Sequence, residues 1–235
     1  IQDIGTIEPL DGMKFETDPC TVEKIGYKKG KVKEPLLVCG KDKALKCGEE
    51  FKVFNYGFYR KTEKEIKIGY LYPRNSYDLM KAVVNGIYTF AKLGKYHGEK
   101  DLYTMAGLLD LDVKAMVREE YELGDITDYK RAANKLQKIE GIDLVIALVP
   151  DGMEEDGPYN PFKTIWAKAN IPSQMISMKT AKLFAEEAKE GNKAKNNSRY
   201  YLHNIILGIL GKTGGIPWVV KDMPGNVDCF VGLDV

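Results

Sequence analysis

The sequence predicts an α/β protein in which a mostly parallel, Rossmann-like sheet carries helices on both faces and follows a small β-rich linker segment. Three observations predict this fold. From residue 66 onward, strand-like and helix-like patterns alternate along the chain. Residues 143–149 are apolar on both faces, which is typical of a central parallel strand. The 235 residues are 44% hydrophobic and 29% charged, which is typical of a globular protein.

The first half of the predicted sheet region contains two strands and three helices. Residues 66–72 form a strand, and a helix over 77–93 follows it with Ser76 as its N-cap. Residues 112–122 and 128–139 are predicted to be two further helices. The strand over 143–149 completes this half.

The second half continues the alternation. We predict a helix over 160–169, a strand over 174–177, a helix over 180–190 and a long helix from Ser198. Gly214 and Gly215 are expected to end that helix, because glycine readily adopts the left-handed conformation found after helix ends. Two last strands are predicted over 217–220 and 229–235.

Residues 1–65 differ from the rest of the chain, because they hold Gly, Pro and Lys in short alternating stretches without a long helical period. We predict a β-rich linker, or an arm that lies on a neighbouring domain. The chain begins with Ile1 and not with Met, from which we expect an excised piece of a longer protein.

The cysteine content and hydropathy indicate the compartment. Cys20, Cys39, Cys47 and Cys229 form no C-x-x-C pair, so a zinc site is weakly supported, and they do not resemble a disulfide scaffold. We therefore expect a cytoplasmic protein. No apolar run approaches the ~18–20 residues needed to cross a bilayer, so we expect no membrane partner.

The charge is distributed unevenly, although the formal net charge is only +1. Residues 101–158 carry 14 acidic and 6 basic side chains, whereas residues 159–221 carry 10 basic and 3 acidic ones. Such asymmetry indicates an anion-binding face, and a solvated lysine-rich surface is the alternative.

Four polar side chains in the basic region suit a phosphate. Ligands of open α/β sheets bind beyond the carboxyl ends of the strands, and a helix start there favours an anion. Tyr159 and Lys163 share one face of such a helix, Gln174 begins the next strand, and Lys212 ends a later helix. Together they supply a phenol, an amide and two ammonium groups as donors. Taken alone, Lys212 also suits a helix C-terminus for electrostatic reasons.

The order of these motifs resembles that of the Argonaute/PIWI family, in the MID domain that binds the 5′ end of a guide strand. The similar stretch runs from Tyr159-x-x-x-Lys163 through Gln174 and Asn204 to the segment 211–218. The resemblance implies that Tyr159, Lys163, Gln174 and Lys212 hold the guide's 5′-phosphate, that the Tyr159 ring stacks on the first base, and that Asn204 has a supporting polar role.

The end of the chain adds a second similarity. Residues 230–235 resemble the first strand of the family's PIWI domain, which has an RNase H-like fold, and Asp234 matches its first catalytic aspartate. The resemblance implies a division into the linker 1–65, the MID domain 66–225 and the start of PIWI at 226–235. Two-metal cleavage needs several carboxylates, so we expect this piece to bind without cutting and the full-length protein to be a guide-directed endonuclease of host defence.

The resemblance also implies partners and cofactors. The expected partners are a 5′-phosphorylated guide of DNA or RNA and, through the full-length protein, a target nucleic acid; we expect a monomer. Lys193, Lys195 and Arg199 are candidates for further guide contacts, with a solvated loop as the alternative. The piece should need no cofactor, although Mg²⁺ or Mn²⁺ is an option at the 5′-phosphate and in the full-length catalytic site. The acidic loop 151–158 could read the first base through its backbone, hold a divalent ion or remain a solvated turn.

Two features depart from this interpretation. In relatives with this type of site a polar side chain often lies one helical turn before the second lysine, where this chain has Gly208. Residues 208–213 also resemble a nucleotide-binding phosphate loop, but the first glycine of that motif would fall at Ile206 and the segment closes a helix. The alternatives are a Rossmann-like domain for a nucleotide or small molecule, and a protein-interaction module that has lost guide binding.

Overall fold

The structure is a computed structural model and describes residues 35–93, 107–152, 159–190 and 198–221. Its strands are β1 (Leu37–Val38), β2 (Ala44–Leu45), β3 (Ile66–Pro73), β4 (Leu111–Tyr121), β5 (Leu144–Val149), β6 (Ser173–Ser177) and β7 (Val219–Val220). Its α-helices are α1 (Val53–Tyr56), α2 (Tyr77–Leu93), α3 (Ile126–Gln137), α4 (Tyr159–Lys168), α5 (Met178–Glu190) and α6 (Ser198–Lys212). Two short 3-10 turns precede α1.

The main sheet has four parallel strands in the order β4-β3-β5-β6. Strand β5 lies between β3 and β6, where Ile146 pairs with Tyr70 on one side and with Gln174 on the other. Every residue of β5 is buried. The predicted central strand and the predicted Rossmann-like fold class are therefore confirmed, and β6 lies at one edge of the sheet.

Helices cover both faces of this sheet, as predicted. On one face Leu144, Ile146 and Leu148 of β5 pack into a core that also holds residues of α1, α2, α5 and α6. On the opposite face the alternate residues of β5 pack into a second core with residues of α3 and α4. Because successive strand residues point to opposite faces, one strand supports both cores.

The second core contains polar groups whose hydrogen bonds join its two helices to each other and two of its strands to each other. The indole N–H of Trp166 donates to the hydroxyl of Tyr129 at 2.7 Å, and the hydroxyl of Tyr121 donates to the Leu148 carbonyl at 2.7 Å. All three aromatic side chains are buried. Buried donors with partners avoid the desolvation penalty of unpaired polar groups, so these bonds link α3 to α4 and β4 to β5 at little cost.

The segment before the sheet is β-rich only in part. Strands β1 and β2 form a small antiparallel sheet with β7, and an isolated bridge joins Arg60 to Ile216. The segment also contains α1, whose Phe54 is fully buried in the first core. Residues 1–34 lie outside the described residues, and the domain boundaries near 66 and 225 stay predictions.

The helix predicted over 112–122 is wrong, because residues 112–121 belong to β4. Lys, Ala, Met, Arg and Glu in this segment favour a helix by intrinsic propensity. Pairing with β3 overrides that preference, and the period-two pattern appears where Tyr121 is buried and Arg118 and Glu120 are exposed. An edge strand tolerates charged residues, since one of its sides faces solvent.

The remaining predicted elements agree with the structure in the part of the chain that it describes. The predicted helix over 77–93 matches α2, and α3, α4, α5 and α6 begin or end within two residues of the predicted bounds. Gly214 follows α6 with a φ of +86°. The strand predicted over 229–235 lies outside the described residues. Across the described ranges, no helix is both long and apolar enough to span a membrane.

His203 is a titratable group inside the first core. Its ring stacks on Phe54 at a centroid distance of 4.4 Å, with Phe51 and Phe90 at 4.9 and 5.4 Å. Burial, with a smaller contribution from the charge of Arg199, lowers the pKa of His203 to about 4. The folded protein therefore holds a neutral imidazole at neutral pH.

We predict that His203 makes the fold less stable in mild acid. The unfolded imidazole titrates near 6.5 and the folded one near 4, so stability is complete above pH 6.5 and falls as the pH drops toward 4. The contribution of this one group to the slope approaches about 1.4 kcal/mol per pH unit. Urea unfolding of the protein and of His203→Phe at several pH values measures it. An equal slope in the two proteins would contradict this assignment.

Candidate nucleic-acid interface

Two of the predicted lysines and the predicted glutamine meet at the free edge of β6. The ammonium group of Lys212, in the last turn of α6, donates to Oε1 of Gln174 at 2.5 Å. The ammonium group of Lys163, in α4, donates to the backbone oxygen of Ser173 and to its Oγ, the second at 2.9 Å. Since α4 packs on one face of the sheet and α6 on the other, the two helices bring their lysines together only at this edge.

No described carboxylate pairs with either lysine. The acceptors of Lys163 and Lys212 are a hydroxyl, a backbone carbonyl and an amide, all of which are neutral. Lysines elsewhere in the described ranges form ion pairs, for example Lys135 with Glu119 at 3.0 Å. Two cations that have no counter-ion among the described residues favour the binding of an external anion.

The surroundings disfavour the charged form of both lysines and so lower their pKa values. Burial lowers the pKa of Lys163 below its ordinary range. Burial, followed by the charge of Lys163, lowers the pKa of Lys212 to about 8. A lowered lysine pKa means that the surroundings destabilise the ammonium form, which a bound anion would reverse.

Gly208 has no side chain, which leaves room for the hydrogen bond between Lys212 and Gln174. A Cβ atom on Gly208 would lie 2.7 Å from Oε1 of Gln174 and 3.4 Å from the Lys212 ammonium nitrogen. The sequence indicated only a missing polar side chain at this position. In the structure the missing side chain leaves room for Gln174. Gln174 lies 34 positions earlier in the chain, so sequence spacing could not show this contact.

A cavity of about 290 Å³ lies beside Lys163 and Lys212. Gln174, which accepts the hydrogen bond from Lys212, is one of the residues that line it. It extends along β6 to the carboxyl ends of β5 and β6, where ligands of such sheets are expected. Its walls come from four places: the end of β5 with the turn after it, strand β6, the first turn of α5 and the middle of α6. The lining residues are Val149, Pro150, Gly152, Gln174, Met175, Ile176, Ser177, Thr180, Tyr201, Asn204 and Ile205.

The other predicted site residues lie on α4 and α6 or outside the described residues. Asn204 is exposed and lines the cavity, and its supporting role stays a prediction. Tyr159 is the first residue of α4, one turn before Lys163. Arg199 lies in the first turn of α6 and is half-buried. Lys193, Lys195 and Asp234 lie outside the described residues.

Two competing chemistries find no support among the residues that the structure describes. The segment 208–213 closes α6 and does not connect a strand to a helix start, so it lacks the context of a nucleotide-binding phosphate loop. No group of three or more His, Cys, Asp or Glu side chains in the described ranges is arranged to hold a metal ion. The Mg²⁺ or Mn²⁺ option stays a prediction.

Comparisons with known proteins agree on one family. No family model matches the chain. The Argonaute protein of Aquifex aeolicus is 34% identical over 106 residues, which are 43% of this chain and 13% of that protein. The structure of Clostridium butyricum Argonaute, bound to a guide DNA with a 5′ deoxycytidine and to a 19-mer target DNA, matches 88% of this chain and 27% of its own at 41% identity and a TM-score of 0.72.

More distant structures share the fold. Kluyveromyces polysporus Argonaute, solved with a guide RNA, matches 81% of this chain with a TM-score of 0.50, but at 13% identity the likeness concerns the fold alone. The fold and the site define a Rossmann-like α/β domain in which two lysines meet at the sheet edge with no carboxylate partner among the described residues. In sequence and in fold this chain is similar to part of an Argonaute protein. It spans 27% of the length of the Clostridium butyricum chain, so it corresponds to part of such a protein.

We predict that Gly208→Ala weakens binding of a 5′-phosphorylated oligonucleotide without unfolding the protein. The added methyl group displaces the amide end of Gln174, which then no longer reaches an anion bound at Lys212, while alanine favours the helix. Loss of one charge-assisted hydrogen bond corresponds to about tenfold weaker binding. Fluorescence anisotropy with thermal unfolding measures both effects.

Gly211→Ala is the matched control for this prediction. It lies three residues further along α6, and a Cβ atom there meets nothing within 4 Å. This variant should gain helix propensity and keep full affinity. Equal affinities of the two variants would show that the space at Gly208 does not serve the site.

Proposed function

We propose that this chain contains the MID domain of its Argonaute and holds the 5′-phosphate of a short guide strand. In this proposal Lys163, Gln174 and Lys212 are the phosphate ligands. The observation that carries it is the pair of half-buried ammonium groups that meet on neutral acceptors at the edge of β6.

A terminal phosphate fits the chemistry of this pair. A phosphate monoester carries up to two negative charges and three acceptor oxygens. The two ammonium groups match that charge, and each can exchange a neutral acceptor for a charged one. Charge-assisted hydrogen bonds are roughly twice as strong as neutral ones, so this exchange favours the bound state.

The cavity beside the pair suits the first nucleoside. It begins at Gln174, so a nucleotide anchored by its phosphate would place its sugar and base toward Asn204 and the turn after β5. Tyr159, one turn before Lys163, is proposed to stack on that base, which would contribute about 1–3 kcal/mol. Phosphate contacts carry no sequence information, so any preference for the first base must come from the cavity walls.

The similar proteins extend the proposal to the whole molecule. The relative that is 41% identical was solved with a guide DNA and a target DNA, which favours DNA as the guide here. We propose a monomeric, cytoplasmic, guide-directed endonuclease for the full-length protein. In it Asp234 would be the first carboxylate of a two-metal site that uses Mg²⁺ or Mn²⁺.

We predict that Lys163→Ala with Lys212→Ala abolishes the preference for a 5′-phosphate. Two charge-assisted contacts are lost, which corresponds to about 3–6 kcal/mol at the phosphate. The measurement is a titration with one short DNA oligonucleotide that carries either a 5′-phosphate or a 5′-hydroxyl. The original protein should bind the phosphorylated form far more tightly, and the double variant should bind both forms equally.

The matched control is Lys130→Ala with Lys168→Ala. These lysines are exposed on α3 and α4, and their removal changes the net charge equally. The control should lose a little affinity for both oligonucleotides and keep the phosphate preference. A protein that binds the 5′-hydroxyl form as tightly as the phosphorylated form before any substitution would reject the proposed function.

The proposed function also predicts a pH optimum for binding. Lys212 in the free protein loses its charge above about pH 8, so affinity should fall as the pH rises through that value. Below about pH 6 the phosphate takes up a proton and loses one charge, so affinity should fall there as well. Lys212→Arg should show a smaller decline between pH 8 and pH 9, because a guanidinium stays charged. A 5′-phosphate affinity that is flat from pH 7 to pH 9 in the unsubstituted protein would contradict the role of Lys212.

A further inference from the structure

The carboxylate of Asp151 links two walls of the cavity through a hydrogen bond. Oδ1 of Asp151 accepts a hydrogen bond from the backbone N–H of Lys179 at 2.6 Å. Asp151 lies between Pro150 and Gly152, which both line the cavity. Lys179 is the second residue of α5, whose first turn forms part of the opposite wall through Thr180.

The hydrogen bond to Asp151 comes from the start of α5, which faces the cavity. Ser177 accepts a hydrogen bond from the backbone N–H of Thr180 at 3.2 Å, so Ser177 and Asp151 together satisfy two of the free N–H groups at the start of α5. A capping carboxylate at this position is favourable, because the helix start carries partial positive charge. The link holds the turn after β5 against α5.

Gly152 sets the direction of the chain at the end of this link. Its φ is +74°, a conformation that residues with side chains rarely adopt. A Cβ atom there would meet nothing within 4 Å, so the glycine serves backbone conformation and not close packing. The turn is thus shaped by Gly152 and anchored by Asp151.

We infer that Asp151 is a positioning residue that sets which first base the site prefers, an inference that rests on the proposed function. The phosphate ligands lie on α4, β6 and α6, and the turn 150–152 contributes none of them. Pro150 and Gly152 of this turn instead line the cavity in which the first base is proposed to lie. Hydrogen bonds depend steeply on distance and angle, so reading a base with backbone groups requires an anchored turn.

Two substitutions of Asp151 distinguish the effect of its hydrogen bond with Lys179 from the effect of its negative charge. Asp151→Ala removes both the acceptor and the negative charge. Asp151→Asn removes the charge but keeps an oxygen that can accept from Lys179. If the anchor sets base preference, asparagine preserves it and alanine loses it, while loss of the charge alone strengthens binding of all guides alike.

Asp125→Ala is the matched control, because Asp125 is an exposed capping residue at another helix start. It accepts from the backbone N–H groups of Thr127 and Asp128 at 2.8 and 3.1 Å, at the start of α3. Its loss should reduce stability to a similar extent as Asp151→Ala without touching the cavity. Thermal unfolding of both variants reports whether they remain folded.

The test uses the purified protein and eight short DNA oligonucleotides, four with different first bases and a 5′-phosphate and the same four with a 5′-hydroxyl. We expect unequal affinities among the four phosphorylated guides for the unsubstituted protein, for Asp151→Asn and for Asp125→Ala. For Asp151→Ala we expect these affinities to converge to within about twofold, with the phosphate preference unchanged, since phosphate contacts do not read bases.

Three results would overturn the inference while leaving the proposed function intact. They are equal affinities for all four bases in the unsubstituted protein, an unchanged ranking in Asp151→Ala, and a loss of ranking in Asp151→Asn as large as in Asp151→Ala. The last result would assign the effect to charge and not to the anchor. Failure of the proposed function is distinguishable, because it removes the difference between phosphate and hydroxyl in the unsubstituted protein.

Discussion

Two ammonium groups that repel each other are held side by side at the edge of β6, and the site depends on that arrangement. Burial and the charge of Lys163 disfavour the ammonium form of Lys212 and lower its pKa to about 8, and no described carboxylate offsets this effect. Neutral acceptors on Ser173 and Gln174 stabilise the two ammonium groups only in part. An anion that arrives at this edge finds charges already aligned, with little reorganisation required.

The fold supplies the rigidity that holds these charges together. Helix α4 is anchored by Phe162 and Trp166, which are buried in the second core, one on each side of Lys163 in the sequence. Helix α6 is anchored on the opposite face by Ile209 and Leu210, which lie three and two residues before Lys212. Helices from opposite faces can meet only where the sheet ends, so the edge position of β6 is a requirement of the site.

The segment before the sheet reinforces the end of α6. The backbone of Arg60 exchanges hydrogen bonds with Ile216 at 2.9 and 2.8 Å, and the hydroxyls of Thr62 and Thr213 lie 3.1 Å apart. These contacts flank Lys212 on its C-terminal side. The linker thus restricts the helix end that carries one of the two charges.

Sequence reasoning could predict the elements that carry a strong local pattern. The all-apolar β5 and the long amphipathic α2 are of this kind, whereas β4 was predicted as a helix because its pairing with β3 is not visible in local propensity. The set of Lys163, Gln174 and Lys212 followed from the order of motifs along the chain. The space at Gly208 and the link from Asp151 to α5 join residues 34 and 28 positions apart, so no local pattern contains them.

The most direct test is a crystal structure of the protein with a 5′-phosphorylated dinucleotide. We expect phosphate oxygens within hydrogen-bond distance of the ammonium groups of Lys163 and Lys212 and of the Gln174 amide, with the first nucleoside in the adjoining cavity. A phosphate bound elsewhere, with Lys163 still on Ser173 and Lys212 still on Gln174, would contradict the account.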